Sequence, residues 1–198
     1  MKSYYITTPI YYVNDIPHIG HAYTSLACDV LARFKRLDGF KVFFLTGTDE
    51  HGQKVETAAK EKQMIPQDFV NIVSKNFQIL SNKLNLSNDN FIRTTEKRHI
   101  SACQKLWNQL QKSGDIYLGK YSGWYSIRDE AFFQENELIK GKAPTGAKVE
   151  WVEEPSYFFR LSKWQNKLLE HYHENESFIL PMARRNEVIS FVKGGLKD

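Results

Sequence analysis

The sequence predicts an α/β fold with a parallel sheet in its first part and a smaller β-rich module in its second. Three observations carry this. An apolar, β-prone run from Tyr4 to Val13 hands over to a helical pattern; a second β-prone run, Lys41-Val42-Phe43-Phe44-Leu45-Thr46, follows that helix; and after Gly114 aromatic residues alternate with glycines. Strand, helix and strand in succession make a right-handed βαβ unit, the building block of a doubly wound parallel sheet.

The elements follow in order. Residues 2–8 read as a buried strand, and from His21 the apolar positions Leu26, Val30, Leu31 and Phe34 recur at helical spacing until Gly39 stops them. Residues 41–46 form the second strand, with Gly47-Thr48-Asp49-Glu50-His51-Gly52 as the loop at its carboxyl end. Residues 55–63 read as helical. Pro66 is placed at the first turn of a further helix carrying Phe69, Ile72, Val73, Phe77, Leu80 and Leu84. Phe91-Ile92 suggests a short strand, and Thr95 is placed to cap a helix carrying Ile100, Cys103, Leu106, Trp107 and Leu110. Tyr117, Tyr121, Trp124, Tyr125, Phe132 and Phe133, among Gly119, Gly123, Gly141 and Gly146, define the β-rich module, with residues 148–152 and 156–160 as separate further strands. Aromatics in a small β module more often form its core than a base-stacking platform. Ser162-Lys163-Trp164-Gln165 has the form of a capping box, and a last helix starts near Pro181 and ends at Gly194-Gly195.

Composition narrows the class. At 198 residues, 41% hydrophobic and 14% aromatic, the chain can build a core and suits one domain with an insertion. No apolar run approaches the roughly eighteen residues of a membrane span, and Met1-Lys2-Ser3-Tyr4 lacks the features of a secretory signal. The expectation is a soluble, cytoplasmic protein with no membrane partner. Two cysteines, Cys28 and Cys103, lie far apart within helical patterns and are expected to be reduced. A net charge of +4 with scattered basic residues permits a nucleic-acid partner without arguing for one; Arg184, Arg185 and Lys193 read as a solvated helix face.

The chemistry concentrates at Pro17-His18-Ile19-Gly20-His21. Two histidines three apart around a glycine, where a strand passes into a helix, suit a triphosphate. The glycine lets backbone approach a ligand, the helix N-terminus offers amides and a positive dipole end, and the imidazoles can donate to phosphate oxygens. In a parallel sheet the ligand sits outside the carboxyl ends of the strands, which puts the Asp49 loop in the same crevice.

Thr7-Thr8-Pro9-Ile10-Tyr11-Tyr12-Val13-Asn14-Asp15-Ile16-Pro17-His18-Ile19-Gly20-His21 closely resembles the first signature of class I aminoacyl-tRNA synthetases, in the form found in their bacterial methionyl members. Gly47-Thr48-Asp49-Glu50-His51-Gly52 is similar to those members' second-strand motif, and the resemblance runs on to Phe191-Val192-Lys193-Gly194-Gly195-Leu196. It implies a Rossmann-type catalytic domain, first half at residues 1–113, broken by a connective insertion at 114–198. It also implies methionine, ATP with Mg2+, and tRNA as substrates, with no DNA partner. His18 and His21 match the family's ATP-binding histidines, in a catalytic role. Gly20 matches the glycine under the nucleotide, and Asn14 sits within reach of it. Ile10 and Tyr12 match methionine contacts, and Asp49 matches the carboxylate that pairs with the substrate ammonium. The family's Cys-x-x-Cys zinc pairs are replaced here, Ser126 and Asp129 standing at the first pair and the second missing around Ala143 to Gly146, so no structural zinc is expected.

The family's lysine-rich second signature is absent from the sequence. The expectation is an N-terminal portion of a methionine-activating ligase, not competent alone. Two alternatives stand beside it: another nucleotidyltransferase using the His-x-Gly-His turn, and a non-catalytic nucleotide- or RNA-binding fragment.

Overall fold

The computed structural model describes residues 2–198. In order these form β1 (Ser3–Thr7), β2 (Tyr11–Tyr12), α1 (Ile19–Leu37), β3 (Lys41–Asp49), α2 (Gln53–Glu61), α3 (Pro66–Lys83), β4 (Asn90–Arg93), α4 (Lys97–Lys112), β5 (Ile116–Ser126), β6 (Ala131–Phe133), β7 (Glu150–Phe159), α5 (Gln165–Glu174) and α6 (Met182–Lys193). Two compact units divide within α4, one reaching to Gln104 and the other Lys105–Asp198.

In the first unit β3 is the central strand of an all-parallel sheet. β1 and β2 pair along one edge of it and β4 along the other, the order expected of the first half of a doubly wound sheet. Thr7 pairs with Leu45 but Tyr11 pairs with Thr48, so the edge strand advances four residues while β3 advances three. The extra residue is a bulge at Thr8-Pro9-Ile10, which re-aims the side chains of β2. β3 is longer than the sequence pattern suggests: Gly47, Thr48 and Asp49 belong to the strand and not to a loop after it. Gly47 stands opposite Ile92, and a Cβ there would lie 2.1 Å from the Ile92 carbonyl oxygen, so only glycine fits.

The main core lies where Tyr11 and Val13 meet α2 and α3, through Val55, Ala59, Phe69, Val70, Val73 and Phe77. Pro66 occupies the first turn of α3, as its fixed φ and missing N–H favour. The helix over α1 forms, but its apolar stripe does not make the core. Leu26, Val30, Leu31 and Phe34 are exposed, and the buried stripe is Ser25, Asp29 and Ala32. Small and polar residues face the interior because they are hydrogen-bonded there. Asp29 accepts from the Ser87 amide and hydroxyl, each at 2.6 Å, and from Arg33 at 2.7 Å. Arg36 reaches Ser87 and Asp89, and Asp89 accepts from the Phe44 amide at 2.7 Å. The chain at residues 85–89 is thereby clamped to α1 and β3.

α4 carries no buried residue. The hydroxyl of Thr95, which the sequence suggests as the cap of α4, donates to Glu50.

The second unit is built on a three-stranded antiparallel sheet, order β6-β5-β7. β7 is one continuous strand through Pro155, not two; it is an edge strand, where a proline's missing donor is tolerated. Along β5, Tyr117, Gly119, Tyr121, Gly123 and Tyr125 alternate onto one face. Rings of Phe158 and Phe132 lie over the two glycines, a Cβ at Gly119 meeting Phe158 at 2.9 Å and one at Gly123 meeting Phe132 at 3.2 Å. The tyrosines pack on the same two rings, Tyr121 to Phe132 at 4.5 Å and Tyr117 to Phe158 at 5.8 Å.

Where the sequence suggests a lost metal knuckle, the Asp129 carboxylate accepts from Ser126 at 2.8 Å and Thr145 at 2.6 Å, tying two loops by hydrogen bonds. The capping box at Ser162 does not form. Ser162 donates its amide and hydroxyl to Asp198, and a 3-10 turn, Leu161–Trp164, leads into α5.

Candidate active site

The carboxyl ends of β2 and β3 and the start of α1 converge in the first unit. His18 is the N-cap of α1, with extended backbone (φ −120°, ψ 177°). Its Nδ1 accepts from the Gly20 amide at 3.1 Å, and its own amide donates to His21 Nδ1 at 3.1 Å. This is a capping box made of two imidazoles. A ring nitrogen that accepts a hydrogen bond carries no hydrogen, so each neutral ring holds its proton on Nε2. Both Nε2–H groups are thus donors not used by the cap. The rings stack at 3.8 Å between centroids, 28° between planes.

His21 is wedged edge-on against Tyr11 at 4.8 Å and Phe77 at 5.1 Å, which joins the motif to the core. Burial lowers its pKa below the ordinary histidine value, with the neighbouring His18 adding to the effect. Tyr11 is itself fixed by a 2.7 Å hydrogen bond between its hydroxyl and Ser25, and burial raises its pKa. Gly20 has ordinary helical backbone; its need is space, because a Cβ would lie 3.0 Å from the His18 ring. The Gly20 amide, which the sequence left free for a ligand, is committed to that ring.

Tyr12 and Asp49 are register partners across β2 and β3, and the Val13 amide donates to the Asp49 carbonyl at 3.3 Å. No hydrogen bond to the Asp49 carboxylate is made among the described residues. Gly52, with φ +108°, lies under the Tyr12 hydroxyl, 2.6 Å from where a Cβ would stand. Ile10 sits in the bulge, 41% exposed. Val13 is fully buried, Asp15 accepts from the Ile16 amide, and Ile16, Pro17 and Ile19 complete the turn. Asn14 is placed apart: it lines a cleft of about 600 Å³ with Ile16, Met64, Phe69 and Asn76, and neither histidine, Tyr12 nor Asp49 lines it. The structure therefore groups His18, Gly20 and His21, and separately Tyr12 and Asp49, with Tyr11 next to both.

Two residues were missed by the sequence reading. Glu50 is buried, and its carboxylate accepts from Arg93 Nε and Nη2 at 2.7 and 2.9 Å, from Thr48 at 2.7 Å and from Thr95. Burial pushes its pKa up, but the Arg93, Thr95 and Thr48 hydrogen bonds outweigh this and hold it below the usual carboxylate range. The available signal was Arg93-Thr94-Thr95, a guanidinium and two hydroxyls at the end of a strand.

A model for the family described as tRNA synthetases class I (M) matches residues 4–150. The chain belongs to the class I tRNA synthetases. Among class I relatives, the methionine–tRNA ligase of Rickettsia felis is 66% identical over 198 residues, covering 100% of this chain and 39% of its own length. That of Rhizobium meliloti is 58% identical over 202 residues, with the same coverage. A solved structure of Mycobacterium tuberculosis methionyl-tRNA synthetase in complex with methionyl-adenylate superposes with a TM-score of 0.89 at 54% identity, covering 100% of this chain and 40% of that one. The chain thus spans about two fifths of the length of the curated class I relatives it matches. Among the described residues no helix is long and apolar enough to cross a membrane.

Proposed function

We propose that this chain is the amino-terminal part of a methionine–tRNA ligase and carries half of its adenylate-forming site. The observation that carries the reading is the imidazole pair at the start of α1, both rings with Nε2–H donors not used by the cap and His21 packed on Tyr11, the neighbour of Tyr12 in β2. In the first step a methionine carboxylate oxygen attacks the α-phosphorus of ATP, the bond to the bridging oxygen breaks, and pyrophosphate leaves. In the second, a hydroxyl of the tRNA 3′ adenosine attacks the carbonyl carbon and AMP leaves. No protein nucleophile is needed, so the residues act by positioning and charge stabilisation.

His18 and His21 donate to phosphate oxygens as charge shifts toward pyrophosphate. Gly20 keeps the His18 ring in place. Asp49, with no competing partner among the described residues, receives the methionine ammonium, and Tyr12 and Ile10 flank the uncharged thioether, a pairing of apolar wall and single carboxylate that suits methionine. Asn14, at the start of the turn that leads to His18, is assigned to the nucleotide. Mg2+ would enter with the ATP substrate and offset the negative charge of the triphosphate. We assign residues 1–113 to the first half of the Rossmann-type domain and 114–198 to the connective insertion, in keeping with the change from parallel to antiparallel sheet. A cytoplasmic location accords with these substrates.

The test is methionine-dependent ATP–pyrophosphate exchange, with other amino acids as controls, on this chain and on its full-length reading frame. Exchange in the full-length protein alone supports the reading, and exchange in neither overturns it.

A further inference from the structure

We propose that Glu50 is a positioning residue for the amino-acid end of the site. Its carboxylate locks the ends of β3 and β4 and so fixes the strand end that carries Asp49. This rests on the reading of Asp49 as the ammonium acceptor.

The ladder between β3 and β4 ends at Thr48 opposite Arg93, and that between β3 and β2 ends at Asp49 opposite Tyr12. Beyond these pairs the chain turns through Gly52 into α2 with no strand beside it. Glu50 supplies the fixed point. Its side chain is wholly buried while that of Arg93 is 21% exposed, and its amide donates to the Thr94 hydroxyl at 2.9 Å, which also contacts His51 Nδ1 at 3.1 Å. Arg93 extends the tie to α3 by donating to Asn71 at 2.7 Å. Strand pairing alone needs no buried charge, and an apolar tie of the same volume would serve packing as well. A carboxylate gripped by four donors adds direction.

It also adds charge balance. Two carboxylates are adjacent in sequence at this strand end, Asp49 and Glu50. The inner one is saturated by Arg93 and two threonines, and the outer one is left for a cation from outside. Alternation along β3 puts Thr48, its partner Arg93 and Glu50 on one face of the sheet and Asp49 on the other, so the tie through Glu50 fixes the strand end from the face opposite Asp49 and leaves the Asp49 carboxylate unpaired among the described residues.

The experiment is pyrophosphate exchange by the full-length enzyme, titrated in methionine at saturating ATP and in ATP at saturating methionine, with active sites counted by titration. Glu50→Gln is expected to raise the methionine KM by about tenfold or more, leaving kcat per active site and the ATP KM within about threefold. Arg93→Gln opens the same tie from β4 and is expected to raise the methionine KM to a similar extent. Thr95→Val deletes one donor without touching the ion pair and gives a rise of about two- to fivefold in a fully folded protein. An unchanged methionine KM in all three variants overturns the proposal, as does a parallel loss in kcat and both KM values, the mark of a purely structural role. If the wild-type enzyme shows no methionine-dependent exchange, the reading of the site falls first, and this proposal with it.

Discussion

His21 does two jobs with one ring. Its Nδ1 closes the cap of α1 and its edges pack against Tyr11 and Phe77, leaving Nε2–H for chemistry. His21→Ala in the full-length enzyme should raise the barrier to adenylate formation by about 2–4 kcal/mol, the scale of one lost transition-state donor, measured by single-turnover adenylate formation. The ring's pKa is lowered by burial, so the folded state holds that proton less tightly than the unfolded chain. Its contribution to stability is then present above the ordinary histidine value of about 6.5 and is lost as pH falls through the lowered one. Chemical unfolding between pH 7.5 and 5.5 should show this loss in the wild type and not in His21→Asn. Glu50 has the carboxylate counterpart: its lowered pKa gives stability present at neutral pH and lost only in acid, below the usual glutamate range. At Gly47 the constraint is steric, and Gly47→Ala should destabilise by about 1–3 kcal/mol as β3 and β4 are pushed apart. The placing of two histidines and a glycine at the start of a helix was legible in the sequence because those residue types stand out at that spacing, whereas Asp49, read as part of a loop, ends β3. Glu50 and Arg93 were not legible, because their meaning is a contact between two strands 43 positions apart.

Among the elements, β1, α1, β3, α3, β4 and α6 were legible because apolar periodicity and glycine or proline stops mark them locally. What failed was any inference about which face or which partner. The α1 pattern selects Leu26, Val30 and Phe34, yet the stripe that meets the sheet is Ser25, Asp29 and Ala32, because a set of hydrogen bonds to residues 85–89 satisfies it. Asp29→Ala should therefore cost about 1–3 kcal/mol by stranding the Ser87 amide and hydroxyl. Leu26→Ala, by contrast, should leave the unfolding midpoint of this isolated chain nearly unchanged; a large drop would place Leu26 in the core after all. At both positions proposed as caps, Thr95 and Ser162, the hydroxyl donates to a distant carboxylate, Glu50 and Asp198, and α5 begins three residues after Ser162. Tertiary partners outcompeted the local ones. In the second unit the Ser126, Asp129 and Thr145 hydrogen bonds hold the loops without a thiolate, so incubation with a chelator should leave its melting temperature unmoved.

For the molecule as a whole, the sequence was enough for the α/β class and the two textures, because those depend on order along the chain. It did not reveal how little of the α1 surface is covered. Tyr23, Val30, Phe34 and Leu37 of α1 and Tyr5 of β1 are all more than half exposed, and among the described residues β1 pairs along only one of its edges. An unpaired edge flanked by apolar side chains favours self-association, so light scattering of this chain should rise with concentration, and Tyr5→Lys should reduce it.

The contact of Tyr12 with Gly52 bears on any attempt to recode the proposed methionine site for a bulkier amino acid. The first choice would be to trim Tyr12. Its hydroxyl, however, fills the room over a left-handed glycine, where a replacement Cβ would stand 2.6 Å away and the backbone, at φ +108°, would be strained with any side chain. The two positions therefore form one mutational unit. A library that varies Tyr12 alone opens a gap that Gly52 cannot be enlarged to fill, so compensating diversity belongs on the wall contributed by Ile10.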